Sequence, residues 1–161
     1  MKRNILIILT ILWMIIIFLF SGSNGDKSSN TSGIIVNKIV PIVERIINKK
    51  LTEEQVSNYI SYPIRKCAHI TEYLILGILV YLSINTYQMD KNKIIILSIL
   101  ICILYSVSDE FHQLFISGRS GKITDCIYDT FGSTLGICIT ALINKKDIIK
   151  RVRKIEVVRY K

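Results

Sequence analysis

"YSVSDEFHQLFISGRSGKITDCIYDT", residues 105–130, lies between two long runs of isoleucine and leucine. It gathers Asp109, Glu110, His112, Arg119, Lys122, Asp125 and Asp129 into a region flanked by membrane-type sequence, where charge is ordinarily rare. The flanks decide the fold class. Ile123 to Ile143 has the roughly 20 residues that a hydrocarbon core of about 30 Å requires. On the other side, an apolar run from Ile94 to Val107 leads into the quoted stretch, where Phe111, Leu114, Phe115 and Ile116 continue as an interfacial face.

Working outward, Cys67 to Tyr87 is a further span. Ile5 to Phe20, interrupted only by Thr10, is short and draws on Ser21 and its neighbours or a thin bilayer to complete a crossing. The chain has 161 residues, 50% of them hydrophobic, and a mean hydropathy of +0.43. These features predict an all-α integral membrane protein, a four-transmembrane-helix bundle with spans at about 5–21, 66–87, 94–112 and 123–143. The expected organisation is a membrane domain over 4–143, including an extracytoplasmic loop at 22–64, and a basic tail over 144–161, with no room for a soluble domain. Met1-Lys2-Arg3, an apolar run and "SGS" also describe a secretory signal peptide, but the run is long for one and no alanine-type cleavage site follows.

The formal net charge is +9, and its densest part is the tail from Lys145, where Asp147 and Glu156 are the only acids. Beside a last span, such a tail reads as cytoplasmic and lying against anionic lipid. Nucleic acid is not expected as a partner, because no aromatic platform or base-reading module accompanies the charge. Lys2, Arg3, Lys91, Lys93 and the tail all become cytoplasmic if both termini lie inside the cell membrane, although Arg65 and Lys66 beside the second span pull the other way. Cys67, Cys102, Cys126 and Cys138 have neither disulfide-framework nor zinc spacing and read as small packing residues, with a Cys67–Cys126 disulfide left open.

Successive spans run antiparallel, so the start of the second, the end of the third and the start of the fourth meet at one membrane surface. Arg65, Lys66, His69 and Glu72 belong to the first of these ends, Asp109, Glu110, His112 and Gln113 to the second, and Asp125 and Asp129 to the third, with Arg119 and Lys122 in the turn. Arg65, His69 and Glu72 share one helical stripe, and Asp109–Gln113 and Asp125–Asp129 are i, i+4 pairs. Gly132 and Gly136 continue the Asp125–Asp129 face with a small-xxx-small spacing that lets a neighbouring helix approach. In the outer loop, "SGSNGDKSSNTS" (21–32) predicts a flexible turn. Ile35, Ile39, Ile42 and Ile46 predict an amphipathic surface helix bent or begun at Pro41, and "TEEQ" from Thr52 matches a capping box.

"RKCAHITEY" (65–73), "SDEFHQLFISGRSGKITDCIYDTFGSTLG" (108–136) and a first span ending in "FSGS" resemble VanZ-like membrane proteins, from the first span to about Ile143. The matching positions are Arg65, Lys66, Ala68, His69, Glu72, Tyr73, Asp109, Glu110, Gln113, Arg119, Asp125, Asp129 and Gly132, whereas His112 and the tail lie outside the family pattern. The resemblance implies a contribution to resistance against teicoplanin or a related lipoglycopeptide at the outer membrane surface.

Several uses of the polar cluster follow from the residues. Arg65, Lys66, Arg119 and Lys122 can neutralise Glu72, Asp109, Glu110, Asp125 and Asp129 in a purely structural, salt-bridged cap. Alternatively, the two arginines seat the phosphate or carboxylate of an anionic lipid, a lipid-linked cell-wall precursor or the glycopeptide itself. In an enzyme, His69 serves as general base, oriented by Glu72 or Asp109, on a lipid-linked substrate. Ser120 lacks the elbow motif of a nucleophile. No recognised metal motif occurs and basic residues crowd the acids, so neither metal nor cofactor is expected. Transport is disfavoured because the charges stay at one end of the bundle.

Overall fold

The computed structural model describes the backbone of residues 2–22, 25–116 and 121–159, and side chains within 3–22, 36–116 and 121–144. It is all-helical among those residues: α1 (Lys2–Ser21), α2 (Gly25–Ile47), α3 (Glu53–Val56), a π-helical turn (Ser57–Ser61), α4 (Tyr62–Asn85), α5 (Lys91–Gln113) and α6 (Ile123–Arg159). Four helical stretches are long and apolar enough to cross a membrane: Arg3–Ser21, Glu53–Asn85, Lys91–Gln113 and Ile123–Asn144. The protein is a membrane protein whose outward face is hydrocarbon-like, with Leu19, Leu104, Phe131 and Leu142 all largely exposed.

The interior combines an apolar core, with Ile17, Leu76, Val80, Ile94 and Ile137 at its centre, and a polar face on α5. On α5 the buried residues are Ile94, Ser98, Cys102, Ser106, Asp109, Glu110 and Gln113. Their spacing of three and four puts them on one face. Toward one end that face changes from apolar to hydroxyl to carboxylate, while Ile96, Leu100, Leu104 and Phe111 point outward. Lipid tails are as apolar as leucine, so apolar side chains gain little by turning inward, and polar ones gain partners there.

α4 and α6 form the closest pair. A Cβ added at Gly77 would collide with the Ser133 carbonyl, one at Gly132 with the Ile70 carbonyl, and one at Gly136 with the Leu74 carbonyl. Gly132 and Gly136 therefore do what their spacing predicts, and Gly77 supplies the reciprocal contact from α4. α1 packs chiefly against α4. It is tied there by Thr10–Ser83 at 2.9 Å and by the Trp13 indole donating to the Glu72 carbonyl at 2.9 Å, while Tyr105 on α5 donates to its Met14 carbonyl at 2.6 Å.

The outer segment departs from its expected shape. The backbone is already helical from Gly25, where a flexible turn was expected over 21–32. Serine and asparagine are weak helix formers rather than breakers, and extending an existing helix costs far less than nucleating one. Pro41 sits inside α2 rather than at its start. The helix ends at Ile47, with Asn48 in the left-handed conformation (φ 50°), and the Glu44 carboxylate accepts from the Leu51 N–H at 2.9 Å.

The capping box at Thr52 is present, with Gln55 N donating to Thr52 Oγ1 at 3.3 Å and Thr52 N to Gln55 Oε1 at 3.1 Å. It opens no separate helix: α3 passes through the π-helical turn directly into α4. Pro63 has no N–H and crowds the carbonyl four residues back, and a widened turn ahead of it relieves both problems. α2 packs against this turn. At its other end α6 runs on as one helix to Arg159, so the basic tail prolongs the fourth span.

Replacing a helical glycine by alanine ordinarily gains about 1 kcal/mol of helix propensity. Gly132→Ala and Gly136→Ala are expected to do the reverse, costing about 1–3 kcal/mol as overpacking forces α4 and α6 apart. Melting temperature in detergent measures this. Gly22→Ala is the control, since its Cβ would lie 3.2 Å from the Phe18 carbonyl and 3.3 Å from His112 Cε1 and meets no second helix backbone.

Candidate functional site

α4, α5 and α6 bring their polar ends together, and α1 closes one side. Asp109 and Asp129 are 1% and 0% exposed, and hydroxyl donors surround them. Ser21 Oγ of α1 donates to Asp109 Oδ2 at 2.7 Å, and the Tyr73 hydroxyl of α4 reaches the same oxygen at 3.4 Å. Ser106 Oγ, one turn before Asp109 on α5, donates to Asp129 Oδ2 at 2.8 Å. His69 Nδ1, one turn before Tyr73, lies 3.6 Å from Asp129 Oδ1. A polar path thus crosses all four membrane helices: Ser21, Asp109, Tyr73 with Ser106, Asp129 and His69.

Glu110 has a different task. Its Oε2 accepts the Lys122 N–H at 2.8 Å and its Oε1 takes Gln113 Nε2 at 3.3 Å. A Cβ at Gly121 would strike the Glu110 carbonyl. The end of α5 thereby holds the start of α6 by backbone contact. Gln113 Nε2 also lies 3.3 Å from Ser21 Oγ and 3.4 Å from Asp109 Oδ2, so one amide joins the turn anchor to the buried acid.

At the rim, Lys66 forms an ion pair with Asp125. Its ammonium lies 5.1 Å and 5.3 Å from the centres of the Tyr62 and Tyr128 rings, within cation–π range. Arg65 is half-buried and makes no ion pair among the described residues. Lys122 contributes its backbone N–H while its side chain is exposed. Arg119 and Ser120 lie outside the described residues. Glu72 sits on α4 between His69 and Tyr73, partly buried, with its carbonyl receiving the Trp13 indole.

The expected neighbours of His69 were Glu72 and Asp109; the carboxylate facing its Nδ1 is that of Asp129. His112 turns the other way, stacking on Phe18 of α1 with ring centroids 4.0 Å apart. All four cysteines are free thiols. Among the described residues, no group of three or more His, Cys, Asp or Glu is arranged to hold a metal ion.

Sequence reasoning missed Ser21, Ser106, Trp13 and Tyr105. A signal existed for one of them: Ser98, Cys102 and Ser106 recur every four residues and lead onto the Asp109–Gln113 face, a polar stripe in an otherwise apolar helix. Nothing local marks Ser21, whose partner lies 88 residues away.

Among the described residues, the ion pairs at this end are Lys66–Asp125 and, when the imidazole is protonated, His69–Asp129. The two most buried carboxylates each retain an oxygen, Asp109 Oδ1 and Asp129 Oδ1, with no hydrogen-bond partner among the described residues, and His69 Nδ1 is likewise unmatched. Unsatisfied buried groups of this kind are costly and concentrate at functional positions.

A four-span α-helical bundle with a donor-lined pair of buried acids at one end defines a small polytopic membrane protein with a polar site at one membrane surface. Residues 6–144 match the VanZ/LLP1 family model, and the chain belongs to that family. No curated protein and no solved structure matches it.

Removing Ser106 leaves Asp129 short of its one strong donor. Ser106→Ala should cost about 1–3 kcal/mol, the usual penalty for stranding a buried polar group. Ser106→Thr keeps the hydroxyl and should recover most of it; thermal unfolding of both variants in detergent provides the comparison.

Proposed function

We propose that this VanZ/LLP1 protein resides in the cell membrane with both termini in the cytoplasm, and contributes to resistance to teicoplanin or related lipoglycopeptides. It does so through its polar site, at the outer face, which binds an amphiphile of that leaflet: an anionic lipid, a lipid-linked cell-wall precursor or the drug. The observation that carries this reading is the pair of buried carboxylate oxygens, Asp109 Oδ1 and Asp129 Oδ1, that lack a hydrogen bond and, among the described residues, any lysine or arginine partner. A cap built for stability alone would pair its charges, because stranding one is strongly destabilising. Half-buried Arg65 supplies a guanidinium at the rim of the same site, suited to a phosphate or carboxylate.

A second reading, a membrane-embedded transferase or hydrolase acting on a lipid-linked substrate, is favoured by one contact, His69 Nδ1 facing Asp129 Oδ1 at 3.6 Å. A carboxylate on one ring nitrogen sets the imidazole for proton transfer at the other.

Expression in a susceptible bacterium should raise the inhibitory concentration of teicoplanin. Asp109→Asn and Asp129→Asn proteins that accumulate normally should lose that protection; full protection from both removes the site from the function. His69→Gln separates the two readings: retained protection with unchanged cell-wall precursor and lipid pools by mass spectrometry supports binding, while a lost product demands the enzyme. A reporter fused after Lys161 should be active only in the cytoplasm.

A further inference from the structure

The unmatched groups of the site are acceptors. Asp109 Oδ1 and Asp129 Oδ1 accept only, when ionised, and the latter has only the His69 Nδ1 facing it, at 3.6 Å, beyond ordinary hydrogen-bond length. A phosphate is therefore the wrong partner for the inner part of the site, since its oxygens would face carboxylate oxygens at close range. No ion pair among the described residues links a lysine or arginine to either acid. Two carboxylates in a low-dielectric bundle favour a positive charge, and their two open oxygens favour a group with several N–H donors. The same atoms are not gathered as metal ligands would be. An N–H···O contact of about 2.9 Å spans more distance than a metal–oxygen bond of about 2.0–2.2 Å.

Resting on the outer-face binding site of the preceding section, we propose that its inner end receives a primary ammonium group, carried by an amphiphile whose anionic part stays at the rim near Arg65. His69 lies on the outer side of the pair, its side chain 12% exposed where Asp129 is fully enclosed. Primary ammonium in the outer leaflet comes from two sources, an amine-bearing lipid headgroup and an amine on the drug. Both present N–H donors on a cation, and the site selects for that chemistry. A quaternary ammonium has the charge without the donors and is rejected.

The protein carries its own reporter. Trp13, its one tryptophan, donates its indole N–H to the Glu72 carbonyl on the α4 stretch between His69 and Tyr73. Full-length protein in phosphatidylglycerol nanodiscs is titrated with dodecylammonium, dodecyltrimethylammonium and dodecyl phosphate while Trp13 fluorescence is followed. Saturable binding of dodecylammonium is expected, with the quaternary analogue about ten- to hundredfold weaker, the factor for losing hydrogen bonds to charged groups. Asp129→Asn should weaken dodecylammonium by a similar factor. Equal binding of the primary and quaternary amines, or tighter binding of the phosphate, overturns the assignment on the wild-type protein alone, whatever the variant's folding. Phosphatidylethanolamine and N-acetylated teicoplanin, each used as a competitor beside its counterpart, identify the source: displacement by the lipid assigns a headgroup, and displacement by teicoplanin but not its acetylated form assigns the drug. If dodecylammonium fails to bind while Asp129→Asn still abolishes protection, the ammonium assignment falls and the outer-face site stands. If it binds as expected while both acid variants keep full protection, the resistance reading falls and the ligand chemistry stands.

Discussion

The close approach of α4 and α6 is the constraint on which the rest of the bundle depends. At Gly77, Gly132 and Gly136 each helix offers a backbone surface to the other, with no room for a Cβ. In a bilayer the hydrophobic effect does not drive helices together, so this contact relies on close van der Waals packing, which only small residues permit. Its position fixes the chemistry. Gly132 rests on the carbonyl of Ile70, next to His69, and Asp129 lies one turn before Gly132. His69 and Asp129 face each other because the glycines beside them bring their backbones close.

Most of the architecture was legible because the hydrophobic requirement of a bilayer is written in runs of twenty residues. The convergence of Arg65 to Tyr73, Asp109 to Gln113 and Asp125 to Asp129 at one end followed from antiparallel spans and helical spacing. Pairings within that end were not legible. Sequence spacing places His69 and Glu72 on the same stripe of a single helix, yet which carboxylate His69 faces is decided by how α6 docks on α4, a tertiary fact. The segment at 21–32 misled for a related reason: its Gly, Ser and Asn content is turn-like in water, while the helix that follows extends backward at small cost per residue.

The polar face of α5 also explains why the site can exist at the end of so small a bundle. Ser98, Cys102 and Ser106 prepare a hydroxyl-bearing face inside α5 before the acids begin, so Asp109 and Asp129 enter an environment that already donates hydrogen bonds. Glu110, by contrast, is used up in holding the turn through the Lys122 N–H, which leaves the two deeper acids as the chemically available pair.

Ser21 and Asp109 also bear on how the protein is made. The hydroxyl that stabilises the carboxylate emerges from the ribosome with the first helix, 88 residues ahead of its partner. Asp129 must wait for its Ser106 contact until the last span arrives. A chain stripped of the first helix after translocation would carry a buried acid without its shortest hydrogen bond. In the folded bundle the first apolar segment is a wall of the polar end, meeting α5 through Ser21 and through the Met14 carbonyl.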